Sequence, residues 1–356
     1  MECATAKPAT GAADLQPPWC TDALSGVLGG GRVVVVEATP VGNGLVADTF
    51  RLSLTYEPAG AGPPTVVAKV PAVDETSRTA ARLTRTYEIE SSFYRDLAPT
   101  LPVRAPHCYD AAYEPETGDY HVVLEDAAPA VQGDQLAGCT LAEIEAAVNQ
   151  LVLLHGSRWG DETLLDRAWL HRAQPDRIDE TATLVDMLVP VFLQRFAARL
   201  EPSTVALVER LAPRLRAHLH DRPGPWTVVH GDFRADNLLF SAAEVVVVDW
   251  QTVAVGPGPA DLAYLLGASL LPEDRREHEK ALVARYTAGL REHGVSVDDA
   301  VVWTGYRRHA FASLIMGIAA SALVRQTERG DEMFIAMVER PAVQIADLDA
   351  EALLPA

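Results

Sequence analysis

The sequence predicts an α+β fold of two lobes, a small β-rich N-terminal lobe followed by a larger helical C-terminal lobe. Three patterns point there. From Arg32 to about Glu125 apolar residues alternate or form short runs, as strands require; after Asp126 they recur at helical spacing; and a β island between Trp226 and Asp249 interrupts the helices. At 356 residues, 48% hydrophobic and 22% charged, the chain is ordinary for a globular protein. Its length allows about three quarters of the unfolded surface to be buried.

Residues 1–25, rich in Ala, Thr, Pro and Gly, read as a flexible lead-in, with order beginning near Arg32. Residues 26–126 then form the N-lobe. A first strand covers 33–37. In 47–56, Phe50, Leu52 and Leu54 alternate with Arg51, Ser53 and Thr55, which means one buried face. A short apolar strand at 65–70 and a helical stretch at about 77–97 follow. Strands 108–113 and 120–125 pair across the PETGD turn as a hairpin. Residues 127–356 form the C-lobe. A helix at 141–159 carries Leu141, Ile144, Val148, Leu151, Val152 and His155 on one face. Helices near 178–200 and 203–220 precede the β island, and four more from Ala260 onward are separated by LPED, HGVSVDD and TERGDEM. The lobes join near 124–128, a place where ligands are often held.

Charge and cysteine usage narrow the function classes. With 49 acidic and 30 basic side chains the formal charge is −19, which excludes a nucleic-acid sheath. Cys3, Cys20, Cys108 and Cys139 are far apart and form no CxxC pair, so neither a disulfide framework nor a zinc site is expected. The N-terminus has no apolar core behind a basic start, and the oily stretch 310–324 is too short to span a bilayer. A cytoplasmic protein without membrane insertion is therefore expected.

The densest polar signal runs from His230 to Asn237, in the form HGDxxxxN, between the strands TVV and LLF. The second strand turns through 241–244 into Val245–Val248 and ends at Asp249. Pairing Phe240 with Val245 places Asn237 opposite Val248, so Asp249 lies beside Asn237 at the open end, within about 5–8 Å. Asp232 sits on the loop feeding that end. Two carboxylates and a carboxamide oxygen make a site suited to Mg²⁺. Any one of these residues alone would be read as a turn or cap residue, Asp236 included. Spacing, hairpin and terminal Asp together match a phosphoryl-transfer loop with its metal-binding Asp.

Lys69 closes the strand VVAK in a chain with only two other lysines, Lys7 and Lys280. It offers a compact charge for a phosphate oxygen, or else snorkels from a strand end. Glu90 is the helical carboxylate best placed to orient Lys69, with Glu88 as competitor and a solvated helix face as the plain alternative. Gly42 and Gly44, between the first two strands, form either a phosphate-covering turn or an ordinary hairpin turn.

Through HGDFRADNLLF (230–240) and VVDWQTVAVGPGPADLAYLL (247–266), the sequence resembles the aminoglycoside phosphotransferase and choline-kinase-like group, which has a protein-kinase-like fold. VGNGLVADTFRLSL, EIESSFYRDL, LEDAAPAVQGDQ and RGDEMF support the match. It looks closest to the ecdysteroid-kinase-like branch and extends from about residue 35 to the C-terminus. Trp250 and Gln251 follow the metal Asp where protein kinases have Phe-Gly, and the phosphate loop lacks a full GxGxxG. The resemblance implies Asp232 as catalytic base, Asn237 and Asp249 as Mg²⁺ ligands, and Lys69 with Glu90 at the nucleotide phosphates under the Gly42–Gly44 turn. It also implies adenine binding by backbone near 124–126, which includes Glu125 and Asp126, and a structural role for Asp261.

The expected reaction is γ-phosphoryl transfer from ATP or GTP to a hydroxyl of a small molecule. Sterol-like or other lipophilic alcohols and aminoglycoside-like cations both stay open as acceptor. Two other readings remain, a metal-dependent phosphoesterase using His230, Asp232 and Asp249, and a non-catalytic nucleotide-binding pseudokinase. His230 and His155 are expected to pack. Trp250, Trp303 and Tyr306 could line an acceptor pocket but are more common as core. The sequence leaves the oligomeric state open.

Overall fold

The computed structural model describes residues 6–42, 46–170, 175–324 and 326–355. Strands β1 (Arg32–Pro40), β2 (Ala47–Glu57), β3 (Thr65–Pro71), β4 (Cys108–Tyr113) and β5 (Tyr120–Glu125) form an antiparallel sheet in the order β1-β2-β3-β5-β4. The alternation in β2 is realised: Leu52, Leu54 and Tyr56 are buried while Arg51, Ser53 and Thr55 are exposed. In β3 the same two-residue period turns Val66, Ala68 and Val70 to the back of the sheet and leaves Val67 and Lys69 facing the cleft.

The described part of the N-terminal segment is folded, contrary to the flexible lead-in expected for 1–25. Helices α1 (Pro17–Ala23) and α2 (Ser25–Leu28), with the turns before them, lie across the back of the sheet. Ala6, Ala9, Leu15, Cys20 and Leu24 pack on Leu52, Val66, Ala68 and Val70. The Tyr120 amide donates to Ala9 O at 3.2 Å and the Ala6 amide to Asp110 at 2.9 Å. The alanines that suggested looseness are small enough to lie flat against an apolar sheet, and Pro17 is preorganised for the first turn of a helix.

The stretch expected as one helix at 77–97 is broken. Helix α3 (Glu75–Thr84), capped by Asp74, ends at Arg85 in the left-handed region (φ 59°), and α4 (Thr86–Ser92) continues into a π-helical turn, Phe93–Leu97. The break re-aims α4 so that Glu90 points inward.

In the C-lobe, β6 (Val131–Gln132) leads to α5 (Leu141–Gly156), which starts with a Thr140/Glu143 capping box. Its predicted face is buried except for Leu141, at the exposed first turn. Helix α6 (Pro175–Phe196) follows. The helix expected at 203–220 is split by a 3₁₀ turn holding Pro213 into α7 (Pro202–Leu211) and α8 (Leu215–His220). The β island gives β7 (Thr227–Val229), β8 (Leu238–Phe240) and β9 (Val245–Val247). An unforeseen β10 (Ala254–Gly256) pairs with β7, and β6 pairs with β8. After it come five helices where four were expected: α9 (Pro259–Ser269), α10 (Pro272–Glu292), α11 (Asp299–Arg308), α12 (Ala312–Leu323) and α13 (Glu328–Asp347). The turn at 309–311, which splits the expected third helix, follows Arg307 and Arg308 and contains neither Gly nor Pro to mark it. Among the described residues one helix, Ile178–Arg199, is long and apolar enough to cross a membrane; here it packs on α8 and α12.

Candidate active site

The hairpin forms in the expected register, with Leu238 opposite Val247 and Phe240 opposite Val245. The Val248 amide donates to Asn237 O at 3.0 Å, which sets Asp249 at the open end. Asp249 adopts φ 67°, a left-handed conformation costing a non-glycine residue on the order of 1–3 kcal/mol. Its surroundings hold it there. Trp250 is fully buried, stacks on Phe93 with centroids 4.1 Å apart and donates Nε1–H to Val247 O at 3.0 Å. Trp250 and the buried Tyr306 are therefore core, and neither they nor Trp303 border the large cleft.

The loop before β8 is tied to α9. Asp261 accepts the His230 amide at 2.6 Å and the Gly231 amide at 2.9 Å, while His155 Nε2 lies 3.2 Å from it. Gly231 has φ 82°, and a Cβ there would meet Thr252 O at 2.7 Å. His230 Nε2 donates to Val248 O at 3.0 Å and its Nδ1 accepts the Asp232 amide at 3.3 Å. Both ring nitrogens are thus engaged, which makes His230 a packing residue rather than a nucleophile or metal ligand.

Asp232 is buried, and its carboxylate accepts from three side chains. Asn237 Nδ2 donates to Oδ2 at 2.8 Å, Arg234 Nε is shared between both oxygens at 3.2 and 3.3 Å, and the Tyr264 hydroxyl donates to Oδ1. With Asn237 Nδ2 facing Asp232, its Oδ1 is left for a ligand. Arg234 also pairs with Asp236 at 2.7 Å. Burial opposes the guanidinium charge, but Asp232 and Asp236 outweigh it and hold Arg234 firmly protonated.

Lys69 lies across the cleft. Its Nζ is 2.5 Å from Glu90 Oε1 and 2.7 Å from Asp249 Oδ1. The competitor Glu88 pairs with Arg85 instead. Burial works against the ammonium, yet Asp249 and Glu90 together raise its pKa. Burial would raise Asp249, but Lys69 overrides it and keeps this carboxyl below its ordinary value. Glu90 is pushed up by burial, with the Asp249 charge adding to the effect.

The side chains of Glu125 and Asp126 are held in ion pairs, Glu125 with Arg104 at 2.7 Å and Asp126 with Arg51 at 2.7 Å, and the Glu125 amide donates to His107 O at 2.8 Å. Arg104 also reaches Glu244, in the β8–β9 turn, at 2.8 Å, and so ties the joint between the lobes to the hairpin. Gly42, at φ 71°, borders the cleft, whereas Gly44 lies outside the described residues.

These groups share one cavity of about 1680 Å³. Its polar end holds Lys69, Asp232, Asn237 and Asp249. Its other end is mainly apolar, walled by Leu184 and Met187 of α6, Met316 and Leu323 of α12, and Phe334 and Met337 of α13, with Asp179 and Glu180 of α6 and Arg329 of α13 also on the lining. Sequence reasoning missed Tyr264, Arg104 and this apolar wall. Arg234 occupies one of the four unspecified positions of HGDxxxxN, where the pattern assigns it no role.

The family model for the ecdysteroid kinase-like family matches residues 42–297. The chain belongs to this family. The fold of this kinase-like protein is also that of known alcohol-acceptor phosphotransferases. The gentamicin complex of APH(2″)-IIa superposes with a TM-score of 0.52 at 18% identity, covering 87% of this chain and 93% of that one. A choline kinase from Cryptosporidium parvum Iowa II gives 0.56 at 11% identity, with coverage of 89% and 90%, and a Plasmodium vivax ethanolamine kinase gives 0.53 at 10%, with 86% and 81%. In sequence, a 75-residue stretch is 45% identical to acyl-CoA dehydrogenase family member 10 of Mus musculus. That stretch spans 20% of this chain and 7% of the relative.

Proposed function

We propose that this protein is a Mg²⁺-dependent kinase that moves the γ-phosphoryl group of ATP to the hydroxyl of a lipophilic small molecule. The observation that carries the reading is one cavity with two ends. Lys69, Asp249, Asn237 and Asp232 converge at its polar end and an aliphatic and aromatic wall closes the other. A polycationic acceptor would call for carboxylates free to meet it; Asp179 and Glu180 of α6 do border the cavity, but Asp179 is paired with Arg216 and His220, and most of the wall between α6, α12 and α13 is Leu, Met, Ala and Phe. This favours a sterol-like or other lipophilic alcohol over an aminoglycoside.

The residues present fit a magnesium ion. Among the described residues no group of three or more His, Cys, Asp or Glu side chains could hold a metal alone. Asp249 and the free Oδ1 of Asn237 supply two oxygen ligands, and Mg²⁺ commonly completes its shell with substrate phosphates and water. Bound there, the ion would offset phosphate charge. The acceptor oxygen forms a bond to the γ-phosphorus as the bond to the β-phosphate bridging oxygen breaks. The hydroxyl proton passes to Asp232 and ADP leaves. Lys69, held by Glu90, positions the donor phosphates.

Two readings compete. A phosphoesterase would need His230 at the chemistry, and both its nitrogens are bonded within the fold. A pseudokinase would bind nucleotide without turnover. The test is an ATP-consumption screen against sterols, long-chain alcohols, aminoglycosides, amino alcohols and sugars, with Asp232→Ala as blank. ADP formation with lipophilic alcohols is expected. Turnover confined to aminoglycosides would overturn the acceptor class. A thermal shift with Mg·ATP but no ADP would favour the pseudokinase, and phosphate release from monoesters without ATP the phosphoesterase.

A further inference from the structure

Helix α9 holds the catalytic loop through three side chains. Asp261 takes the His230 and Gly231 amides, Ser269 Oγ accepts the Ala235 amide at 3.0 Å, and Tyr264 donates its hydroxyl hydrogen to Asp232 Oδ1. Two of these side chains fix backbone. Tyr264 alone fixes the carboxylate that the kinase reading makes the proton acceptor.

The other donors to that carboxylate leave its setting incomplete. Asn237 fastens Oδ2, and Arg234 is spread over both oxygens at 3.2 and 3.3 Å. The terminal torsion of an aspartate is broad, so a second strong donor on Oδ1 is what defines the carboxylate plane. An ionised carboxylate has about four lone-pair directions; Arg234 is shared between two of them, so an acceptor hydroxyl would take a direction that this divided Nε–H only partly fills.

The ring of Tyr264 has a second set of neighbours. It lies in a small apolar cluster with Ala268, Met333, Phe334 and Met337, separate from the main C-lobe core. Met333, Phe334 and Met337 also wall the apolar end of the cavity. One side chain therefore touches both the catalytic carboxylate and the wall against which an acceptor would lie. Methionine-rich walls readjust when filled.

We propose that Tyr264 is a positioning residue, which turns the Asp232 carboxylate toward the acceptor hydroxyl and makes that setting respond to an acceptor filling the apolar end of the cavity. The proposal rests on the kinase reading and adds to it a route from acceptor occupancy to phosphoryl transfer. An unfilled wall leaves Tyr264, and through it Asp232, less firmly set, which limits loss of ATP to water.

Tyr264→Phe tests this by removing one oxygen and keeping the ring. Steady-state kinetics would use whichever sterol or long-chain alcohol turns over fastest in the screen, with ADP and phosphorylated product counted separately. The expected result is a fall of about tenfold or more in kcat, a KM for ATP within about twofold of wild type, and a rate of ATP loss to water no higher than that of wild type without alcohol. Crystal structures of wild type and variant with a long-chain alcohol bound would show the Asp232 carboxylate rotated, or in two settings, in the variant alone. A kcat within twofold of wild type, an effect confined to KM for ATP, or an unmoved Asp232 carboxylate would each overturn the proposal. If no alcohol is phosphorylated, the kinase reading fails, and the Asp232 setting in the two structures still decides whether Tyr264 positions it.

Discussion

Replacing Asp261 by asparagine isolates what the α9 tether contributes. The carboxylate accepts two buried backbone amides, His230 at 2.6 Å and Gly231 at 2.9 Å, through different oxygens. Asparagine keeps one acceptor and turns an NH₂ toward the other amide, so one buried N–H loses its partner. That costs about 1–3 kcal/mol, and Asp261→Ala, which strands both, roughly double. With an unfolding entropy of about 2.1 cal/mol/K per residue, 1 kcal/mol lowers the midpoint of a chain this long by only about 1–2 °C. Urea unfolding is therefore the better measure of stability. Activity should be hit harder, because the displaced amides adjoin Asp232, and a shift of about 1 Å in a reacting group can cost on the order of 100-fold. The prediction is a lower urea midpoint together with at least a tenfold loss of kcat. An asparagine variant with wild-type kcat and an unmoved urea midpoint would refute the tether.

Other consequences can be checked in the same way. Asp249→Ala should lose about 100-fold or more of Mg²⁺-dependent turnover, the scale seen when a preorganised electrostatic group is removed. Its melting temperature should change little because Lys69 keeps Glu90; a wild-type rate would show the assignment to be wrong. Deleting residues 1–24 uncovers the back of the sheet, where each apolar side chain buried is worth about 1.5–3 kcal/mol. Faster hydrogen exchange in β3 and increased dye binding should follow, and an unchanged melting curve would contradict the packing described. His218 is buried with Nδ1 unpaired, and burial lowers its pKa to about 4. The unfolded chain then takes up the proton first, so stability is complete above about pH 6.5 and falls as pH drops from there toward 4, by up to about 3 kcal/mol. His218→Phe should flatten that slope in urea titrations between pH 7 and 5, and an identical slope would remove His218 as the cause.

The sequence made some of this legible because the relevant signals are local. Asp232, Asn237 and Asp249 lie within one loop and hairpin whose register follows from pairing Phe240 with Val245. Lys69 stood out through the scarcity of lysine, and Glu90 through a helix 21 residues on. Strand alternation in β2 needed no tertiary knowledge. The misses are contacts between distant segments or interruptions without a strong breaker. Tyr264 reaches Asp232 across 32 residues and Arg104 reaches Glu244 across 140, separations that no spacing rule addresses. Neither the left-handed break at Arg85 nor the turn at 309–311 contains a glycine or proline. The N-terminal segment was misread because alanine composition does not tell a loose chain from one pressed against a sheet. The apolar wall escaped for a related reason, since a helix face that borders a cavity and one that borders a core carry the same hydrophobic pattern.

Arg104 joins Glu125 on one lobe to Glu244 on the other and so pins the two lobes together. On the kinase reading, that pin lies beside the backbone proposed for adenine, and a change of spacing between α3 and α12 would leave it in place.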